Sequence, residues 1–362
     1  MTVVVVAASP ASSEFAVIDF TSATPSTVMI SASSGGNVVD CYGTLAAVGD
    51  CGSGNVAIYD ISTPASPTLL GSIGTVLSGI GSISIDGPNV LAGENKGTRV
   101  ALLDISVPAS PSVKSVYGGG SEGAWLGSIS GVAIRGTNAI VAGTDGFGVI
   151  DYTKPAKPSA VAYPSTYSSV NFDGQVMADF DGTNAVATTG AGNSYVYAVK
   201  SGTAQEPPAT VSNPTALSSV AIAEIPEGGY YVAMGGDDFF WIYAYPSAMP
   251  DGSFMSSPLE SSMSSTAVAV RFLNNPAVAP FLAVANITSE GFYVRSNFLV
   301  LESTGTSTSI SIAKPNPVAK VALAVTLNPS LGITAFTLPP IIPPGGWQLP
   351  PWVEKIWARI FG

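Results

Sequence analysis

Four aspartates recur along the chain and are the first candidates for chemistry. Asp19, Asp60, Asp104 and Asp151 are separated by 41, 44 and 47 residues. Carboxylates of this kind could ligate a metal or act as general acids. The last three each precede a Ser- or Thr-containing segment with proline, where a carboxylate can accept backbone N–H bonds and cap the turn. A catalytic residue occurs once rather than once per repeat, so we interpret these aspartates as structural.

A second acidic cluster surrounds a Gly-Thr-Asn turn and consists of Asp173, Asp179 and Asp181. Its oxygens could hold Ca²⁺, although the alternating ligands and terminal glutamate of a helix–loop–helix calcium site are missing. Asp181 also corresponds in the repeat to Asp86 and Arg135. Because that position does not require a carboxylate, turn formation is favoured over a bound cation, and no metal site is predicted.

The sequence contains no histidine, which limits the reactions it could catalyse. Histidine is the commonest general base near neutral pH, and a Ser-His-Asp triad requires it. The glycine-rich runs 143–148 and 190–192 precede no helical pattern, so no phosphate-binding loop is predicted. We therefore expect a protein that is not an enzyme and binds no cofactor.

The composition is acidic, apolar and poor in charge, with a net charge of −11, 46% hydrophobic residues and 10% charged residues. An acidic chain repels phosphate backbones and anionic lipid, so nucleic-acid partners are excluded and membrane binding is disfavoured. The N-terminal run 1–10 lacks a basic region, so no cleavable signal peptide is expected. A cell-surface, extracellular or virion location is favoured. Cys41 and Cys51 are expected to be free thiols, because they end successive strands.

Internal repeats define the elements that carry the aspartates. Segments 56–67, 100–111 and 148–158 each combine a β-branched strand, an aspartate and a Pro-x-x-Pro loop. Segments 85–93, 134–143 and 180–187 each read as strand, glycine turn and strand, which is a hairpin signature. Each repeat therefore contains four strands, at the period of about 40–50 residues typical of a propeller blade. Later copies at 195–198, 241–244 and 298–302 bring the total to seven.

The segment Ile58-Tyr59-Asp60-Ile61-Ser62 and its copies resemble the LVIVD repeat over roughly residues 15–160. The later copies depart from it, with Ala198, Ala244 and Glu302 in place of aspartate. The resemblance implies a β-propeller and implies little about a ligand. The expected fold is therefore all-β, a seven-bladed β-propeller of four-stranded blades that occupies residues 1–337.

The ends of the chain are expected to close this ring. The N-terminal blade offers only three strands, at 2–8, 14–20 and 27–31, and an unassigned strand pattern covers 318–327. We predict that this last strand joins the N-terminal blade as its inner strand, which hides sheet edges that would otherwise invite aggregation.

Residues 338–362 differ in composition from the rest of the chain. A proline-rich arm, 339–351, favours extended polyproline conformation and leads into a short pattern of helical period. Its net charge is +1, from Lys355 and Arg359 against Glu354. The predicted partner-binding residues lie here: Trp347, Trp352, Val353, Ile356, Trp357, Ile360 and Phe361. A helix of about ten residues is marginal alone, so its apolar face must pack on its own propeller, on a neighbouring subunit or at a membrane surface.

Three functions follow from these patterns. The favoured one is a non-enzymatic scaffold, docked by its arm into a surface layer, appendage or virion. The alternative is a glycan- or small-ligand-binding propeller that uses the loop aromatics Trp125, Tyr163 and Tyr167. An enzyme, metal-assisted at the centre of the ring, is the least favoured because histidine is absent.

Overall fold

The computed structural model describes the chain as strands joined by turns. The described residues are 3–8, 13–19, 26–32, 37–120, 126–145, 147–162, 177–188, 193–200, 203–212, 217–224, 229–236, 239–246, 259–262, 267–272, 282–288, 291–296, 308–310 and 322–327. Within them there are 28 β-strands. All pairings between these strands are antiparallel, and the strands form four-stranded sheets, which we label A to G.

Sheets B, C and D follow the same hairpin order along the chain. Sheet B contains β4 Asn37–Tyr42, β5 Leu45–Asp50, β6 Asn55–Asp60 and β7 Thr68–Gly74. Sheet C contains β8 Ile80–Asp86, β9 Asn89–Glu94, β10 Arg99–Asp104 and β11 Ser112–Gly118. Sheet D contains β12 Ile129–Arg135, β13 Asn138–Gly143, β14 Phe147–Asp151 and β15 Ser159–Ala162.

Sheets E, F and G repeat this order in the second half of the chain. Sheet E contains β16 Met177–Phe180, β17 Asn184–Thr188, β18 Asn193–Lys200 and β19 Thr203–Ser212. Sheet F contains β20 Leu217–Glu224, β21 Gly229–Gly236, β22 Phe239–Pro246 and β23 Leu259–Ser262. Sheet G contains β24 Ala267–Phe272, β25 Leu282–Thr288, β26 Gly291–Ser296 and β27 Thr308–Ile310.

Sheet A combines strands from both ends of the described chain. It contains β1 Val3–Ala8, β2 Glu14–Asp19, β3 Ser26–Ser31 and β28 Ala322–Leu327, in the order β28-β1-β2-β3. β28 pairs with β1 from Val3↔Leu327 to Ala8↔Ala322. The first strand of each sheet contacts the first strand of the next, and β24 of sheet G contacts β28. The all-β, propeller-like fold expected from the sequence is thus confirmed.

The hydrophobic core is divided among the seams between adjacent sheets. One cluster joins Ile58 of sheet B to Ile85 and Leu103 of sheet C. Another joins Leu102 of sheet C to Ile134 of sheet D. Residues of one strand alternate between the two faces of its sheet, so the neighbouring residues Leu102 and Leu103 pack in different seams. A sheet covered on both faces requires the nearly continuous apolar strands seen in the sequence.

Glycine is required where a seam is narrow. A methyl group on Gly49 of β5 would lie 2.5 Å from Ile80 Cγ2 and 3.1 Å from Val38 Cγ2. Gly93, at the same position of β9, would bring a methyl group to 2.8 Å from Ile129 Cγ2. The ends of β5 and β9 therefore pack directly against an isoleucine of the next sheet.

The two cysteines are free, as expected from the sequence. Cys41 is buried in the seam between sheets A and B, whereas Cys51 packs beside the cluster between sheets B and C. Burial, and next the charge of Asp50, raise the pKa of the Cys51 thiol to about 11. Cys51 therefore remains protonated and weakly nucleophilic near neutral pH.

Candidate functional site

The repeated aspartates cap the turns that leave the third strands. Oδ1 of Asp60 accepts the backbone N–H of Ser62 at 2.8 Å, and Asp104 accepts that of Ser106 at 2.8 Å. Asp151 accepts the N–H of residue 153 at 2.7 Å. This is the capping geometry expected from the sequence, so the predicted capping by these three carboxylates is confirmed.

The Pro-x-x-Pro loops that follow are also repeated in detail. Ser66 N donates to Thr63 O, and Ser110 N donates to Val107 O, both at 2.8 Å. Asp104 additionally pairs with Lys114, the nitrogen lying 3.1 Å from Oδ2. The hydrogen bonds to the Ser106 N–H, with a smaller contribution from Lys114, lower the pKa of Asp104. These carboxylates are therefore committed to holding the loop shape.

Asp179 and Asp181 of the second acidic cluster form hydrogen bonds in different parts of the structure. Asp181 Oδ1 accepts the backbone N–H groups of Thr183 at 2.8 Å and Asn184 at 2.7 Å. Burial raises the pKa of Asp181, and burial followed by the charge of Asp181 raises the pKa of Tyr230 to about 12. Asp179 is buried and faces the next sheet. No group of three potential metal ligands occurs among the described residues. Asp173 lies outside them.

Asp179 belongs to a set of acceptors that bridge adjacent sheets. Asp179 Oδ2 accepts the N–H of Ile222 in sheet F at 3.0 Å. Asp40 of sheet B accepts the N–H of Ile85 in sheet C, also at 3.0 Å. Ser84 of sheet C accepts the N–H of Ile134 in sheet D at 3.2 Å.

These acceptors are equivalent by strand register. Asp40 pairs with Ala47, Ser84 with Leu91 and Asp179 with Val186. Each lies three residues before the glycine of the first hairpin turn, so alignment of the repeats groups these positions, although it does not identify their partners in the next sheet. In sheet D the position is Ala133. The first strand of a sheet has a backbone edge without a neighbouring strand, and a side-chain acceptor from the preceding sheet satisfies one N–H on that edge.

An ion pair with a buried carboxylate lies at the end of sheet C that is opposite its first hairpin turn. Glu94, only 5% exposed, accepts hydrogen bonds from Arg99 through both carboxylate oxygens and from the N–H and hydroxyl of Ser78. The hydrogen bonds from Arg99 are the main reason that the pKa of Glu94 falls to about 2. The carboxylate is thus ionised and fully engaged at neutral pH, which suits a structural role.

Loops at this end connect three consecutive sheets. Asn95 Nδ2 donates to Cys51 O of sheet B at 3.1 Å, and the backbone N–H of Ile129 in sheet D donates to Gly97 O at 2.8 Å. Lys96, between them, is exposed and has a φ of +58°. That conformation is uncommon for residues other than glycine. These hydrogen bonds join the loops of sheets B, C and D at this end of the sheets.

The predicted binding residues fall outside the described part of the chain. This applies to all seven partner-binding residues of the arm: Trp347, Trp352, Val353, Ile356, Trp357, Ile360 and Phe361. It applies equally to the candidate ligand-binding aromatics Trp125, Tyr163 and Tyr167. The described residues therefore define the body to which such segments are attached.

Among the described residues, five large apolar side chains are exposed: Tyr42, Leu69, Val76, Val107 and Val113. Leu69 and Val113 lie on the outer strands of sheets B and C, whereas Tyr42 and Val76 lie toward opposite ends of sheet B. A single exposed apolar side chain does not by itself indicate a binding surface. The described part of the chain includes no helix with the length and apolar character that crossing a membrane requires.

Comparison with known proteins supports the fold. No family model and no curated protein matches the sequence. The chain is structurally similar to apo AztD from Citrobacter koseri, with a TM-score of 0.58 and 12% identity over 90% of this chain and 98% of that one. A second crystal structure of Citrobacter koseri AztD gives a TM-score of 0.57 and 12% identity, covering 90% and 97%. A chain of the mitotic checkpoint complex gives 0.55 and 15% identity, covering 75% and 79%. At such identities the similarity concerns the fold alone.

Proposed function

We propose that this protein is a non-enzymatic assembly scaffold, a closed seven-bladed β-propeller that docks into a larger surface structure, appendage or virion through its C-terminal arm. In this proposal residues 1–337 form the rigid body, and residues 338–362 form the arm. The observation that carries the proposal is the pairing of β28 with β1, because it completes the last sheet at Leu327.

The contacts between first strands support a closed ring. They run from sheet A to sheet G in sequence and return from β24 to β28. A closed set of sheets protects the inner edges that would otherwise pair with other chains. Such a body requires no further segment for its own completion, which leaves 338–362 available for another task.

The use of acidic side chains supports a structural rather than a catalytic protein. Asp40 and Asp179 bridge sheets, Asp60 caps a turn, and Glu94 holds an arginine and a serine. A general acid or base must be able to reach the substrate and exchange its proton. Among the described residues, these carboxylates are instead committed to backbone and side-chain donors.

The composition of the arm supports docking to a protein. Trp352, Ile356 and Trp357 recur at helical spacing, and Glu354 and Arg359 suit the N- and C-terminal ends of a helix dipole. An amphipathic helix that binds in an apolar groove uses anchors with this spacing. The positively charged arm would also be attracted by the acidic remainder of a neighbouring copy.

The test compares the solution mass of the intact chain with that of a version ending at Thr337, by light scattering. We expect the intact chain to assemble above its monomer mass of 36.6 kDa. We expect the shortened chain to be a folded monomer, because the ring is complete without the arm. Circular dichroism establishes that both versions are folded.

Matched variants separate the apolar face from the presence of the arm. Trp352→Ala with Trp357→Ala should abolish assembly, whereas Glu354→Gln, on the same segment, should preserve it. Two folded monomers, or an assembly that survives both the truncation and the tryptophan substitutions, would contradict the role proposed for the arm.

A further inference from the structure

Three buried hydroxyl groups are without a hydrogen-bond partner among the described residues: Ser82 Oγ on β8, Ser115 Oγ on β11 and Tyr152 Oη, immediately after β14. Ser115 and Tyr152 lie in adjacent sheets. Tyr152 is only 2% exposed. A buried hydroxyl that forms no hydrogen bond costs free energy, so such groups in native proteins usually contact an ordered water or another polar group.

Strand register places Ser115 and Tyr152 in the seam between sheets C and D. Ser115 pairs directly with Leu102, and directly opposed residues of an antiparallel pair project from the same face of the sheet. Leu102 and Tyr152 belong to the same hydrophobic cluster, which Tyr117 also contacts. The two hydroxyl groups therefore enter one apolar seam from opposite sheets.

The corresponding positions of the preceding seam are apolar. Gly71 pairs with Ile58 at the register position where Ser115 pairs with Leu102. A β-bulge lies next to each of these pairings, at equivalent positions of the two sheets. Ile105 N donates to Pro88 O as Tyr152 N donates to Thr137 O, at 2.8 and 2.7 Å. The pair Gly71 and Ile105 between sheets B and C is thus replaced by Ser115 and Tyr152 between sheets C and D.

The seam between sheets A and B has the same apolar character. Val28 pairs with Val17 at the register position of Gly71, and Ile61 occupies the position of Tyr152. Ile61 is 1% exposed and packs with Phe15 and Val17. Of the three seams compared, the one between sheets C and D alone carries a hydroxyl at both positions.

We propose that the seam between sheets C and D contains a buried polar site, in which one ordered water molecule bridges Tyr152 Oη and Ser115 Oγ. Water is the ligand class that fits, because each hydroxyl can donate or accept and a buried water needs two to four polar partners. A larger solute would have to displace the close-packed apolar residues of the cluster.

The protonation of the Tyr152 hydroxyl is consistent with this site. Burial, and next the neighbouring Tyr117, raise the pKa of Tyr152 well above its ordinary value. The phenol consequently remains protonated at physiological pH and can donate its hydrogen bond to the water oxygen. Ser115 then accepts from the water or donates to it, since its hydroxyl rotates freely.

A crystal structure of the full chain at about 1.5 Å tests the site directly. We expect a single density peak about 2.6–3.0 Å from both hydroxyl oxygens, which is the normal O–H···O range. A direct hydrogen bond between Ser115 and Tyr152, a dry seam, or a bond from either hydroxyl to another protein group would overturn the proposal.

Solution measurements give an independent test of the bridge. Tyr152→Phe and Ser115→Ala should each lower Tm by roughly 1–4 °C, and the double variant should lower it by less than the sum, because the water leaves once either partner is lost. Ser112→Ala, which removes an exposed hydroxyl from the same strand, is the control and should leave Tm unchanged. Additive effects of the two buried substitutions would contradict a shared water.

Discussion

The inner-strand acceptors provide the sharpest test of how the sheets are held together. Asp40→Ala removes the carboxylate that accepts the N–H of Ile85 across the seam at 3.0 Å. Asp40 is 4% exposed and Ile85 is fully buried, so bulk water cannot readily replace the lost acceptor. The substitution should therefore destabilise the protein and, in particular, the junction between sheets B and C.

The expected magnitude follows from the charge of the acceptor. A hydrogen bond to a charged group contributes about 1.5–3 kcal/mol, and a neutral one contributes about 0.5–1.5 kcal/mol. Asp40→Ala should accordingly cost about 1.5–3 kcal/mol, and Ser84→Ala about 0.5–1.5 kcal/mol, because the Ser84 bond is neutral and longer, at 3.2 Å. Asp40→Asn keeps an acceptor oxygen without the charge and should recover about 0.5–1.5 kcal/mol of the loss, which separates the hydrogen bond from the charge.

Amide hydrogen exchange at Ile85, read beside urea unfolding, measures this bond locally. A loss of 1.5–3 kcal/mol corresponds to exchange that is about 10- to 150-fold faster where local opening controls it. Ile134, whose acceptor is Ser84, should keep its exchange rate in Asp40→Ala. If Asp40→Ala leaves exchange at Ile85 unchanged, or if Asp40→Asn is as damaging as Asp40→Ala, the bridging role is refuted.

Three further outcomes are expected. The pKa of Glu94 lies at about 2, below its ordinary 4.5. Its ionised carboxylate therefore stabilises the fold above pH 4.5, and this stabilisation is lost as the pH falls through 2. Between these pH values, Tm should fall more for the natural protein than for Glu94→Gln. Gly49→Ala should cost about 1–3 kcal/mol in urea unfolding, because its methyl group would meet Ile80. A chain ending at Pro317 lacks β28 and should aggregate on size-exclusion chromatography, whereas one ending at Thr337 should not.

Each of these outcomes has a control in the same chain. Gly74→Ala places its methyl group 3.2 Å from the flexible Asn55 side chain, so it should cost less than Gly49→Ala. Equal acid profiles for the natural protein and Glu94→Gln would exclude a stabilising role for the Glu94–Arg99 pair. A monomeric, fully stable chain ending at Pro317 would show that β28 is dispensable.

The repeated part of the fold could be predicted from sequence because it depends on local chemistry. A strand that ends in aspartate and is followed by proline forms the same turn each time, as the hydrogen bonds of Asp60 and Asp104 show. The hairpin glycines Gly43, Gly87 and Gly136 have φ values of +59°, +53° and +58°, in the left-handed region that glycine enters without steric cost. Such features require only neighbouring residues.

The contacts between sheets could not be predicted in the same way, because they join residues distant in sequence. The sequence pattern favours a turn role for Asp179 over a cation site, yet its carboxylate accepts a hydrogen bond from the N–H of Ile222, 43 residues away. The buried pair of Glu94 and Arg99 was not anticipated either. Both residues lie between the repeated segments 85–93 and 100–111 and belong to neither. Only the packing of consecutive loops brings Ser78 to the same carboxylate.

The seam between sheets D and E shows how apolar packing can substitute for a polar bridge. Ala133 occupies the acceptor position there and supplies no side-chain acceptor. The same seam contains Phe147 and Phe180, both fully buried, at the register positions that Val100 and Ile134 hold between sheets C and D. Two phenylalanines in place of smaller aliphatic side chains bury additional apolar surface. Each Å² of apolar surface buried stabilises the fold by about 25 cal/mol. The seam between sheets D and E thus keeps the strand register of its neighbour while it combines larger apolar side chains with an alanine at the acceptor position.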